Sequence, residues 1–177
     1  MVDWKLIQGS LPPFNEHEWT EAFNKYKEFP QFQLVNQNMD LAGFKKIFFW
    51  EYIHRLWGRL IGIVFFIPWV ILLAKKKLSP QMIKHTVIIL LLGGLQGFIG
   101  WIMVKSGLID IPEVSHYRLA LHLSMAIFLL CYICWLLFKI NIKESINLNS
   151  KRIKKLSFIF FTLLCIQIIF GAFMSGL

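Results

Sequence analysis

Trp50-Glu51-Tyr52-Ile53-His54-Arg55-Leu56-Trp57-Gly58-Arg59 opens an apolar run that continues to Ala74. A run of that length can cross a bilayer as a helix, which needs roughly 20 apolar residues. Four ionisable side chains stand at its mouth, where burial in hydrocarbon is costly and calls for a partner or a function. On a helix, Glu51, His54, Arg55 and Gly58 are spaced i, i+3, i+4 and i+7 and share one face. Gly58 leaves room on that face for something bulky. A neutral imidazole there can ligate a metal, heme iron above all.

The rest of the chain has the same character. Its 177 residues are 56% hydrophobic with 17 Phe, and the mean hydropathy is +0.58. These values fit a polytopic membrane protein rather than a soluble globule. The net charge of +9 is concentrated in loops, a pattern of membrane topology and not of a nucleic-acid footprint, so no nucleic acid is expected as a partner. Cys131, Cys134 and Cys165 lie inside apolar segments, which argues against a disulfide framework and for small buried hydrophobes. The polar N-terminal segment contains no signal-peptide h-region.

The expected fold is therefore all-α, a polytopic membrane bundle of four transmembrane helices with an N-terminal extramembrane segment. Residues 1–46 form the polar extracytoplasmic segment, and 47–177 form the transmembrane domain with spans at about 47–74, 85–104, 117–138 and 156–174. Within the first part, a helix over 16–28 is expected, capped by Asn15, with Trp19, Phe23 and Tyr26 as an apolar stripe on the membrane surface. The loops at 75–84 and 139–155 are lysine-rich, which places them inside and both chain ends outside.

An internal repeat links the second and fourth spans. Gln96-x-x-x-Gly100-x-x-Met103 matches Gln167-x-x-x-Gly171-x-x-Met174, and Ser-Gly-Leu follows each, at 106–108 and 175–177. The first and third spans each carry a histidine near the outer end, His54 and His122. The unit reads as a duplicated hairpin, an arrangement that often places a site between repeats. Gly93, Gly97 and Gly100 form a small-residue face suited to close helix packing.

If the apolar cores begin near Phe48 and Leu119, the two imidazoles lie about 9 Å and about 5 Å deep, at roughly 1.5 Å per residue. Two histidines at similar depth can hold one heme from opposite faces. The plainer reading bonds each to a neighbouring helix. Likewise Arg55, Arg59 and Arg118 either snorkel to headgroups or pair with heme propionates. Glu51 either pairs with Arg55 or stands as a carboxylate beside the porphyrin, able to stabilise charge or move a proton. His116 is off the face of His122 and reads as interfacial, while His17 and His85 read as solvated. Gln96 and Gln167 read as hydrogen-bonded bridges between helices.

Several of these motifs together resemble the heme A synthase family, in its alphaproteobacterial and mitochondrial branch. They are Met1-Val2-Asp3-Trp4-Lys5, Gly9-Ser10-Leu11-Pro12-Pro13, Asn36-x-x-Met39, Phe44-Lys45-x-Ile47-Phe48, Glu51-x-x-His54-Arg55-x-x-Gly58-Arg59, Met103-Val104-Lys105-Ser106-Gly107-Leu108 and Tyr117-Arg118-Leu119-Ala120-x-His122-Leu123. The resemblance implies an oxidoreductase that converts heme O to heme A, oxidising a porphyrin methyl to a formyl group for cytochrome c oxidase. It implies His54 and His122 as axial ligands of heme iron, Glu51 as a catalytic carboxylate, and heme b or substrate heme O as the bound group.

The same resemblance implies a multi-pass protein of the bacterial inner membrane (or the mitochondrial one), with the lipid bilayer, an electron donor and heme O synthase as partners. Family members have eight spans in two halves, and this chain matches from the loop after the first span through the fifth. A truncated or split product is thus expected, completed by a second half or by a homo-oligomer, and His116 stands where relatives commonly have proline. The alternatives are a non-enzymatic bis-histidine heme protein and an inactive fragment.

Overall fold

The computed structural model describes residues 12–107, 112–142 and 150–175. The described residues form α1 (Glu16–Lys27), a π-helical turn (Gln31–Val35), α2 (Leu41–Ala74), α3 (Pro80–Gly107), α4 (His116–Asn141) and α5 (Lys151–Ser175). Four of these helices, α2 to α5, are long and apolar enough to cross a membrane. The motifs at 1–11, residues 143–149 of the loop at 139–155, and the last residues of both Ser-Gly-Leu tails lie outside the described residues.

Local chemistry sets the helix ends. Asn15 caps α1, its side-chain oxygen accepting from the Glu18 N–H at 2.8 Å, while the Glu18 carboxylate reaches back to the Phe14 N–H at 2.8 Å. This reciprocal pair satisfies donors that a helix start otherwise leaves open. Asp40 caps α2 in the same way through the Gly43 N–H at 2.7 Å. At the other end of α2, the Lys77 N–H returns to the Leu72 carbonyl and the Lys76 N–H to the Leu73 carbonyl, with Lys76 at φ 52°. That is a Schellman stop, here with lysine in the left-handed position that glycine usually takes.

α2 has 34 residues, about 51 Å at 1.5 Å per residue, against roughly 30 Å of hydrocarbon. Its excess length is used by α1. Phe44 and Phe48 on the first turns of α2 pack with Phe23 and Tyr26, and Phe44 is only 1% exposed. Trp19 meets Phe48 edge-on at 4.9 Å, and Lys45 pairs with Glu16 at 2.8 Å. The helix expected at 16–28 is thus present as α1, but its stripe is spent on α2 and not laid on a membrane surface. Aromatic burial against a protein face excludes water on both sides, which a lipid headgroup layer does not.

Among the described residues, backbone contacts join only successive helices: α1 with α2, α2 with α3, α3 with α4, and α4 with α5. α2 and α4 both flank α3 without packing on each other. At the lysine-rich end, Trp69 Nε1 donates to Thr86 Oγ1 at 2.9 Å, tying α2 to α3. His85 Nδ1 and the Tyr132 hydroxyl share a hydrogen bond of 2.7 Å, tying α3 to α4. His85 is therefore a partly buried bridge and not the solvated flank residue expected. Most apolar side chains elsewhere on the four helices stay exposed, as befits surfaces that lipid solvates as well as protein does. The three cysteines share that exposure and are not the buried hydrophobes expected.

Candidate functional site

The site is built at the end of the bundle that carries α1. On α2, Glu51 Oε1 and Arg55 Nη1 pair at 3.1 Å, both side chains partly buried. The i, i+4 spacing brings them together on the helix surface. His54 is exposed on the same face, and Gly58 lies one turn beyond it. A side-chain carbon at Gly58 or at Gly62 would meet no atom within 4 Å, so the face below His54 is bare backbone.

On α4, His122 sits against α3. A Cβ at Gly100 would lie 2.8 Å from His122 Cε1, closer than real carbons approach, so only glycine lets the ring rest there. Gln96, one turn earlier on α3, places its amide nitrogen 3.2 Å from Nδ1, 3.4 Å from Nε2 and 3.1 Å from the His122 carbonyl oxygen. Its own oxygen, Oε1, is buried with no hydrogen-bond partner among the described residues. The expected Gln96 bridge is present, and its partner is the histidine itself. Gly93 and Gly97, expected to pack closely beside Gly100, face open space instead. The close approach is confined to the one glycine under the ring.

His54 and His122 stand on α2 and α4, which both pack on α3 and not on each other. Arg59 and Arg118 are partly buried, and neither has a carboxylate partner among the described residues. His116, the first residue of α4, stacks with Tyr117 and meets Phe173 of α5 edge-on at 5.7 Å. It belongs to the α4–α5 seam. Glu51, His54 and Arg55 thus stand on α2 and His122 on α4, with α3 packed against both helices. Gly100 as the seat of His122 was the residue that reading for glycine spacing alone did not single out; its pairing with Gln96 at i+4, repeated at 167 and 171, was the available signal.

Chemically, the described residues contain no group of three or more His, Cys, Asp and Glu able to hold a bare metal ion. Two imidazoles suffice only for a metal whose other ligands come with it, as the four porphyrin nitrogens do for heme iron. Histidine pairs, a bare glycine face and unpaired guanidiniums are compatible with a flat, anionic ligand.

The comparisons with known proteins agree. A relative from Flavobacterium johnsoniae, described as heme A synthase, is 44% identical over 180 residues, covering 100% of this chain and 52% of its own length. Heme A synthase of Rhodospirillum centenum is 42% identical over 186 residues, covering 100% of this chain and 48% of its own. That of Bradyrhizobium diazoefficiens is 41% identical over 177 residues, covering 100% and 49%. The chain spans about half the length of the curated relatives it matches. No solved structure matches it. The family model COX15-CtaA, described as cytochrome oxidase assembly protein, matches residues 1–177. This multi-pass membrane chain belongs to the COX15-CtaA family.

Proposed function

We propose that this chain binds heme between α2 and α4, with His54 and His122 as axial ligands, and serves the oxidation of heme O to heme A. The observation that carries the reading is that the helices bearing the two histidines, α2 and α4, both pack on α3 and make no backbone contact with each other among the described residues. The bare face at Gly58 and Gly62 gives a flat ligand room beside His54, and Arg59 and Arg118 are free to meet its propionates. When bound, heme supplies a redox-active iron and, as heme O, the methyl group that is oxidised.

The chain's own residues bind, orient and hold charge. Arg55 holds the Glu51 carboxylate in place one turn from His54, where a preorganised negative charge stabilises positive charge developing on the ligand. The lysine-rich loop at 75–84 supports an inside position for the α2–α3 connection and an outside position for α1, in the bacterial inner membrane. The oxidation itself is proposed for the chain together with a second half of the kind its longer relatives carry, and with an electron donor.

Heme titration of the purified chain tests the ligand assignment. His54→Ala and His122→Ala should each weaken binding by at least tenfold, while His116→Ala should leave it unchanged, because His116 serves the α4–α5 seam. Equal loss on all three would reject the assignment. For Glu51, the chain is co-expressed with the missing helices, and heme O and heme A are extracted and quantified. Glu51→Gln keeps shape and removes charge, so heme binding should persist while heme A formation falls roughly a hundredfold to a thousandfold. Unchanged heme A yield would leave Glu51 as a structural partner of Arg55.

A further inference from the structure

Gln167 and Gly171 on α5 repeat the spacing of Gln96 and Gly100, the pair on α3 that receives His122. On α3, a Cβ at Gly100 would lie 2.8 Å from His122 Cε1, and the Gln96 amide nitrogen reaches the His122 carbonyl oxygen at 3.1 Å. On α5 the same two positions are exposed, and a Cβ at Gly171 would meet nothing within 4 Å. Among the described residues, α5 packs only on α4. It does so with Ala172, which is 3% exposed, and with Phe173, which meets His116 and Tyr117. At about 100° per residue, Gln167 and Gly171 point roughly a third of a turn away from Ala172.

Depth makes that exposure costly. Gln167 lies about 17 Å along α5 from Leu156 at roughly 1.5 Å per residue, near the middle of a hydrocarbon layer roughly 30 Å thick. Its side chain has no hydrogen-bond partner among the described residues. Hydrocarbon offers neither donor nor acceptor, and an amide at that depth is drawn to polar side chains on other helices.

We propose that Gln167 and Gly171 form the docking seat for a transmembrane helix of a second polypeptide, one that presents a histidine as α4 presents His122 to α3. The glycine gives the ring room and the amide supplies a hydrogen bond. Two observations select this occupant. The twin seat on α3 is filled by a histidine helix, and the longer relatives carry about as much chain again as the part matched here. The proposal rests on the second half invoked for the oxidation, and not on His54 and His122 as heme ligands.

The test co-expresses the tagged 177-residue chain with the remaining spans of the Flavobacterium johnsoniae relative as a separate polypeptide, and measures their association in lipid nanodiscs. Gln167→Leu should weaken association by about fivefold to thirtyfold, the worth of one hydrogen bond between membrane helices. Gly171→Ile should weaken it by at least about tenfold, because it fills the space of the ring. Both positions are exposed in the chain alone, so neither substitution disturbs its own packing. Ile169→Ala, on the opposite side of α5, should change nothing. Each histidine of the added polypeptide is then replaced by Ala in turn. One replacement should match the loss in Gln167→Leu and add nothing when combined with it. Full association of both seat variants, or additivity with every histidine, would overturn the seat and leave the second half standing. No association with the wild-type chain would overturn both. Disulfide pairing of two copies through Gln167→Cys, with the three native cysteines replaced by serine and no added polypeptide, would give the face to a second copy and overturn the proposal.

Discussion

Two copies of one motif meet opposite fates in this molecule. On α3, Gln96-x-x-x-Gly100 is covered: the glutamine bonds to His122 and the glycine lies under its ring. On α5, Gln167-x-x-x-Gly171 is bare, with both residues exposed and no atom within 4 Å of where a Cβ would stand on Gly171. The copy on α5 is not far from packing, since its neighbour Ala172 is 3% exposed in the α4–α5 seam. The difference teaches that the motif is a seat, and that a seat acquires a role only from the side chain that the facing helix brings. The α4 face that meets α5 brings Tyr117 and His116 to Phe173, and no histidine to Gln167.

If that comparison is right, matched substitutions in the two copies should diverge. The largest difference is expected at the glycines. Gly100→Ala puts a carbon into the space of the His122 ring, and should cost about 1–3 kcal/mol of stability along with at least a tenfold loss of heme affinity. Gly171→Ala meets nothing, and should leave heme affinity alone while stabilising α5 by about 0.5–1 kcal/mol. Thermal melts in detergent, read beside a heme titration, would expose the opposite signs. Similar losses in both variants would break the comparison.

A smaller difference is expected at the glutamines. Gln96→Ala removes the hydrogen bonds to His122 and should lower stability by about 1–2 kcal/mol. Gln167→Ala should stay within about 0.5 kcal/mol of wild type. The smallest effect sharpens the measurement by providing a control away from both copies. Lys76→Gly relaxes the left-handed stop of α2 and should raise stability by up to about 1 kcal/mol, with no change in heme affinity. An effect on affinity there would mean that affinity is tracking global stability rather than the seat.

The four spans were legible because length and apolarity suffice to identify them, and α1 because Asn15 marks its start. The shared face of Glu51 and Arg55 was legible from their spacing alone, and the pair is found at 3.1 Å. What faces what was not legible. Lipid and protein are equally apolar, so the spacing of Gly93, Gly97 and Gly100 could not say that only Gly100 is covered. His85 was misread because its flanking lysine and threonine suggest solvent, whereas its partner, Tyr132, is 47 residues away on another helix. The stripe of α1 was assigned to a membrane surface for the same reason, since Phe44 falls in the polar segment and Phe48 in the first span until α2 is seen to begin at Leu41 and outrun the bilayer.

The central claim is that His54 and His122 hold one heme between α2 and α4. Electron paramagnetic resonance of the purified chain loaded with ferric heme b tests it most directly. The account predicts a low-spin signal from two imidazole ligands, converted to a high-spin signal by His54→Ala and by His122→Ala individually. A high-spin wild-type signal, or a low-spin signal that survives both substitutions, would contradict it.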